Sequence, residues 1–218
     1  MRWETFSKRI PGFTPKDLQD IKVAFDLMYD THDGERRDDN RPYRHHPIGS
    51  ALDAYAMGER DPEVICAILA HDVLESAKKL GKPLTLRDLE EKVGPSTACR
   101  VRWMTKEGHT DRARASSWKT FRDCKDHKTY KAKACERLNN VRSFKLMKAK
   151  PGETKHQRIR RKVNETVKEF SPIMAWLETD VETRSFPSEQ ARAKERAIIK
   201  NIRLAFEREL RVYSVKFK

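Results

Sequence analysis

Apolar residues recur along almost all of this chain at three- and four-residue spacing, which restricts it to a helical fold. Leu18, Ile21, Phe25 and Met28 mark the buried face of a helix over Pro15–His32. Ile48, Ala51, Leu52, Tyr55 and Ala56 mark the next, with Pro47 in its first turn, where proline is best tolerated. Asp61-Pro62 reads as an N-cap and first helical residue, opening a helix that runs to about Lys79, with Gly81 as its stop. Thr85-Leu-Arg-Asp88 has the form of a capping box; it opens a short helix closed by Gly94, and Pro95 starts another carrying Val101, Trp103 and Met104. Residues 107–116 lack periodicity and read as a loop, two helices follow between Ser117 and Lys150, and Pro151-Gly152 breaks the second. From Lys155 a long helix carries Ile159, Val163, Val167, Phe170, Met174 and Leu177. A linker over 178–188 precedes a last basic helix from about Glu189, with Ile198, Ile202, Ala205 and Leu210 as its apolar face. Only Val212–Phe217 alternates as a strand would, so the expected fold class is all-α.

With 8 glycines and 10 prolines in 218 residues, and 37% of residues charged, the composition suits a helix-rich protein better than a sandwich or a disordered chain. No apolar run is long enough for a membrane span, and MRWETFSKRIPGF lacks the apolar core of a signal peptide. Cys66, Cys99, Cys124 and Cys135 form no CxxC pair, which predicts reduced, buried cysteines and a cytoplasmic protein. Charge is unevenly placed: residues 1–100 carry 16 Lys/Arg against 18 Asp/Glu, and the remainder carries 31 against 15. A basic half suits a polyphosphate ligand, nucleic acid or an acidic partner, and charge alone does not choose among them.

The residues with the chemistry of a metal site are fewer. His71 and Asp72 interrupt an apolar run, ICAILAHDVL, where a carboxylate is costly unless paired or bound. His46 lies at the mouth of the preceding helix, and Glu75 follows His71 by four residues, on the same side of a continuous helix. Nitrogen and oxygen ligands of this kind can converge on an ion with a carboxylate beside it to orient or deprotonate water. Taken singly, a hydrogen-bonded core histidine and a salt-bridged aspartate explain the doublet as well.

Three ordered segments, PYRHHPIGSA, AILAHDVLES and KACERLNNVRS, resemble the HD-domain hydrolases of the Rel/SpoT group, in particular the single-domain small alarmone hydrolases. The resemblance extends over about residues 20–178 and includes RRKVNETVKEFSPIMAWL. It implies an all-helical HD bundle over residues 1–179, with 180–218 as a linker and basic helical extension. It also implies removal of the 3′-pyrophosphate from (p)ppGpp with Mn²⁺ or another divalent cation. Carried over by position, His46, His71 and Asp72 are implied metal ligands, with Glu136 where the group has Asp as the fourth. Glu75 matches the group's water-activating Glu, assisted by Ser76 or Asn140; Ser76 replaces an Asp, and Asn139 replaces a His or Tyr. Arg36 and Arg37 match a basic loop that contacts the nucleotide, and Arg142 matches the end of the third motif. Lys133, Arg161, Lys162 and Thr166 are further phosphate-contact candidates.

No GxSxG, GxxxxGK[ST] or GxGxxG is present, so nucleophile-elbow, P-loop and Rossmann chemistry lack their motifs. Competing readings keep the site with another nucleotide (a dNTP, a cyclic dinucleotide or a 3′-phosphorylated cofactor), or bind a nucleotide without hydrolysing it. Nucleic-acid binding through the basic half is the less favoured reading. Oligomeric state cannot be read from the chain.

Overall fold

The computed structural model describes residues 1–213 apart from 83, 107 and 109. Its helices are α1 (Trp3–Ser7), α2 (Pro15–Thr31), α3 (His45–Ala56), α4 (Pro62–Ala70), α5 (Val73–Lys79), α6 (Leu86–Met104), α7 (Asp111–Asp123), α8 (His127–Ser143), α9 (Lys155–Thr183) and α10 (Glu189–Arg211). Among the described residues the only β-type pairing is two isolated bridges, Arg36 with Pro42 and Lys150 with Glu153. The fold is all-α, and no helix among the described residues is long and apolar enough to cross a membrane. The strand read over Val212–Phe217 lies outside the described residues from 214 onward, and Val212 and Tyr213 form a turn.

Two helices occupy the middle of the bundle for opposite reasons. In α4 every residue from Val64 to Ala70 is buried, as a helix apolar on all sides must be. It packs against α2, α3, α6 and α8. Helix α8 is buried on nearly all sides too, yet carries Lys131, Lys133, Glu136 and Arg137 inside. Such charges persist in an interior only when paired. Lys131 Nζ stands 2.6 Å from Glu59 Oε2 and 2.8 Å from Glu195 Oε1 of α10. His127 bridges Asp180 of α9, at 2.6 Å, and Glu195. Around this polar join α10 buries Ile198, Ile199, Ile202, Phe206 and Leu210, and Phe206 stacks on Phe170 of α9 with ring centroids 3.6 Å apart. The last helix therefore shares the core of the preceding ones.

Capping follows the sequence closely. Thr14 and Thr85 form capping boxes with Asp17 and Asp88, and Gly94 (φ 79°, ψ 156°) ends one helical segment before Pro95 starts the next, so α6 is kinked there. Three expectations are corrected. The helix from Pro62 does not run unbroken to Lys79: it stops at Ala70 and restarts at Val73, with Asp72 at φ −107°, ψ 2°. Adjacent residues on a helix diverge by about 100°, and the break lets His71 and Asp72 turn to one point. Residues 111–116 are helical rather than loop, because Thr110 caps α7 by accepting from Ala113 N at 3.1 Å. Helix α9 continues to Thr183, six residues into the segment read as linker.

Lys131 and His127 hold the Glu195 carboxyl down at about 2 despite the opposing effect of burial, so its contribution to stability is full above its ordinary value of 4.5 and is lost as pH falls towards 2. Glu195→Gln should cost roughly 3 kcal/mol near neutrality. Urea denaturation at pH 7 and pH 3 is expected to show the wild-type advantage shrinking at the lower pH.

Candidate metal centre and adjoining cleft

The break between α4 and α5 faces the first turn of α3. His46 and His71 are buried there with their rings edge to face, centroids 5.1 Å apart. His71 Nδ1 donates to the Ile68 carbonyl at 2.7 Å, which fixes its tautomer and leaves the Nε2 lone pair towards the cluster. That Nε2 stands 2.9 Å from Asp72 Oδ2 and is otherwise without a hydrogen-bond partner. Two electron-rich atoms so placed call for a shared positive charge, a proton or a metal ion. One ligand atom from each of His46, His71 and Asp72 lies within 4.8 Å of the others. The donor set and the orphaned nitrogen fit a divalent cation.

Glu136 comes from α8 and lies beside these three. Its Oε1 is 3.8 Å from His46 Nε2 and accepts from Asn140 Nδ2. Its Oε2, buried without a hydrogen bond, is 3.2 Å from Lys133 Nζ and 3.4 Å from Arg137 Nε. Tyr43, stacked on His32 with centroids 4.6 Å apart, donates its hydroxyl to Asp72 Oδ2 at 2.5 Å.

Electrostatics separates these groups. Burial, with Arg37 and His71, pushes His46 down to about 3, so it presents a neutral imidazole. Burial would lower His71, but the charge of Asp72 raises it. Burial would raise Asp72, yet His71, His46 and Tyr43 hold it well below the usual range. Burial opposes Glu136 likewise, and Arg137 and Lys133 hold it far down. Glu75 goes the other way: burial, with Asp72 beside it, raises its carboxyl.

A cleft of about 780 Å³ adjoins the cluster, a size suited to a small molecule. Tyr43 and Asn140 line it and touch Asp72 and Glu136 respectively. Glu75 lines it too, its Oε1 accepting from the backbone N–H of Lys106 at 2.5 Å. Arg37 reaches it from a tight loop closed by Arg37 N donating to Arg41 O at 2.9 Å, and its Nη2 donates to Asn140 Oδ1 at 2.9 Å. Lys162 and Thr166 line the same cleft, and so do Ser76 and Glu35.

Other sequence candidates lie elsewhere. Arg36 is exposed, bonded to Asn40 O, and borders a neighbouring cavity of about 250 Å³ with Arg37. Lys133 is buried against Glu136 and does not line the main cleft. Arg142 is turned to Asp53 and Glu209, and Arg161 to Glu153 and Glu165, so neither guanidinium faces the cleft. Glu75 belongs to a separate helix from His71, so the four-residue spacing is not what positions it. Sequence reasoning gave no role to Tyr43, Glu35, Lys106 or Arg137. Arg137, paired with Glu169 at 2.8 Å, lines the cleft; its place directly after Glu136, on a helix with no free polar face, was the available signal. With burial and Lys133, Arg137 presses the Lys106 amine down to about 8.

An all-helical domain with a His, His-Asp cluster at helix ends is what the resemblance to the HD-domain hydrolases implies. No protein-family model matches the chain. The bifunctional (p)ppGpp synthase/hydrolase SpoT of Escherichia coli K12 is 27% identical over 180 residues, covering 78% of this chain and 24% of that protein. A GTP pyrophosphokinase of Streptomyces coelicolor is 25% identical over 168 residues, covering 75% of this chain and 18% of that protein. The chain thus spans about a quarter or less of these relatives. A solved structure of a metazoan SpoT ortholog, described as hydrolyzing ppGpp and acting in starvation responses, matches with a TM-score of 0.63 at 18% identity, over 92% of this chain and 96% of that one. In sequence the chain is similar to these Rel/SpoT-group proteins, and in fold it is similar to the metazoan structure.

If His46, His71 and Asp72 hold a cation, Asp72→Ala should weaken Mn²⁺ binding by more than about 100-fold in calorimetric titration. Because a cation must displace the His71 proton, wild-type affinity should fall about tenfold per pH unit once the pH drops below the raised value of that histidine.

Proposed function

We propose that the chain is a divalent-cation-dependent phosphohydrolase that removes the 3′-pyrophosphate from a guanosine alarmone such as (p)ppGpp, with Mn²⁺ as the cation. The observation that carries this reading is the convergence of His46, His71 and Asp72 beside a cleft lined by Glu75 and by Arg37, Lys106, Arg137 and Lys162. The named activities of the relatives support it. Residues 1–179 form the hydrolase-like unit and 180–218 an extension, of which α10 packs on that unit, and four free cysteines suit a reducing cytoplasm.

His46, His71, Asp72 and Glu136 would hold the cation, which when bound lowers the pKa of water and neutralises phosphate charge. Glu75, its carboxyl raised and oriented by the Lys106 N–H, takes the proton of the attacking water. The water oxygen bonds to the phosphorus on O3′, the P–O3′ bond breaks, and pyrophosphate leaves as a proton reaches O3′. Arg37 faces the nucleotide, and Lys106, Arg137 and Lys162 offset the phosphate charge. Glu35 restores a carboxylate next to Ser76 in the cleft.

One observation favours a second reading, a module that binds the alarmone without hydrolysing it: Glu35 is already bonded to His32 and Lys79 and is a restrained substitute for an acid at 76. Incubation of the Mn²⁺-loaded protein with ppGpp separates the two. Pyrophosphate release is expected, with kcat lowered about 10²- to 10⁴-fold in Glu75→Gln. Release no greater than that of Asp72→Ala would overturn the hydrolase reading, and tight binding without product would establish the second.

A further inference from the structure

We infer that the C-terminal helix α10 sets the orientation and tautomer of His46 through a relay of side chains, Glu209–Arg142–Asp53–Asn139–His46, which makes Asn139 a positioning residue for the metal centre. The proposal deepens the metal-site reading and rests on it for its functional meaning, while the geometry stands by itself. Arg142, on α8, donates from Nε to Glu209 Oε1 of α10 at 3.0 Å and from Nη1 to Asp53 Oδ1 of α3. Asp53 Oδ2 accepts from Asn139 Nδ2 at 3.1 Å, and Asn139 Oδ1 lies 2.9 Å from His46 Nδ1.

Each link forces the next. A guanidinium only donates, so the Asp53 carboxylate accepts from Arg142 with one oxygen and has the other free to accept. That second oxygen must meet the amide NH₂ of Asn139, so the amide oxygen must face His46. An amide oxygen only accepts, so His46 Nδ1 must carry the proton and Nε2 must present its lone pair, 3.8 Å from Glu136 Oε1. A histidine that ligates a metal through one nitrogen while its other N–H is held is the ordinary arrangement in metal sites. Here an asparagine fills the holding role, at a position where the Rel/SpoT motif has His or Tyr.

Gly49 makes room for this. A Cβ there would lie 2.8 Å from Asn139 Nδ2, closer than side chains tolerate. Asn139 cannot yield without loosening its bond to Asp53 or to His46. Gly49 sits inside α3, where alanine is otherwise the better helix former. Gly49→Ala is therefore expected to favour the helix while harming the site, an outcome that a purely structural role for this glycine does not predict.

The test uses the full chain with two readouts. Two-bond ¹H–¹⁵N correlation of the imidazoles, recorded without metal, reports the His46 tautomer, and Mn²⁺ titration by calorimetry reports affinity. Wild type should show His46 as the Nδ1–H tautomer. Asn139→Ala and Gly49→Ala should give a tautomer mixture and raise the Mn²⁺ Kd about tenfold, and Glu209→Ala should shift both in the same direction by about threefold in Kd. Asp53→Asn, whose single oxygen Arg142 claims and whose NH₂ then faces Asn139, should turn the Asn139 amide and shift His46 towards the Nε2–H tautomer. An unchanged tautomer and affinity in Asn139→Ala and Gly49→Ala would overturn the relay. An effect of Asn139→Ala with none of Glu209→Ala would overturn the α10 end of it. If wild type takes up no Mn²⁺, the cation reading fails, and the tautomer comparison still decides the relay.

Discussion

Buried charge on α8 is the constraint on which the rest of the structure depends. A helix through the middle of a bundle with Lys131, Lys133, Glu136 and Arg137 inside would be untenable with any of them unpaired, since the penalty is several kcal/mol per ion. Its N-terminal half meets that demand through Glu59, Asp180 and Glu195, which fastens α9 and α10 to the bundle. Its C-terminal half meets it with Glu136 among Lys133, Arg137 and Asn140, beside the two histidines of the cluster. One helix thus carries both the join that completes the core and one wall of the candidate site.

The same pairing divides the carboxylates by role. Glu136 sits among cations and is held far below its ordinary range, as a ligand to a hard cation should be. Glu75 sits beside Asp72 with only a backbone N–H and more distant lysines to offset burial, and it is raised, as a proton acceptor should be. Pairs of acids driven apart by their surroundings are how one site supports two functions at one pH. The chain's charge asymmetry has the same logic: the near-neutral first hundred residues supply His46, His71, Asp72 and Glu75, and the basic remainder supplies Lys106, Arg137 and Lys162.

Most helices were legible because each buries one stripe, and their ends carry capping side chains within three residues of the cap. The break at His71-Asp72 was not legible, because the residues on both sides are equally apolar and the hydroxyl that Asp72 meets there belongs to Tyr43, 29 residues away. The start of α7 was hidden because its first turns, DRARAS, present no apolar stripe, and Thr110 alone signals it. In the site, the histidines and Asp72 stood out as polar residues in apolar runs, and ordered motifs singled out Arg37 and Glu136. Which of many arginines would face the cleft was beyond sequence reasoning. Arg142 and Arg161 are drawn away by Asp53, Glu209 and Glu153, and Arg137 is kept at the cleft by Glu169, partners that sequence spacing does not disclose.

The three departures from the Rel/SpoT motifs gain a common explanation once neighbours in space are considered. Glu136 has a longer arm than Asp, and Asn140, one turn along the same helix, holds its Oε1 beside His46. Ser76 lacks a carboxylate, and Glu35 brings one to the same cleft from the loop after α2. Asn139 lacks a ring, and the room left by Gly49 together with the anchor at Asp53 lets its amide hold the His46 N–H. Each substituted side chain is matched by a second residue 4 to 90 positions away in the chain but in contact with it in the fold. A motif compared position by position counts three losses; compared as a set of contacts, it keeps an oxygen beside the histidines, an acid in the cleft and an acceptor behind His46. The contacts, rather than the letters of the motif, are what the chemistry of the site requires.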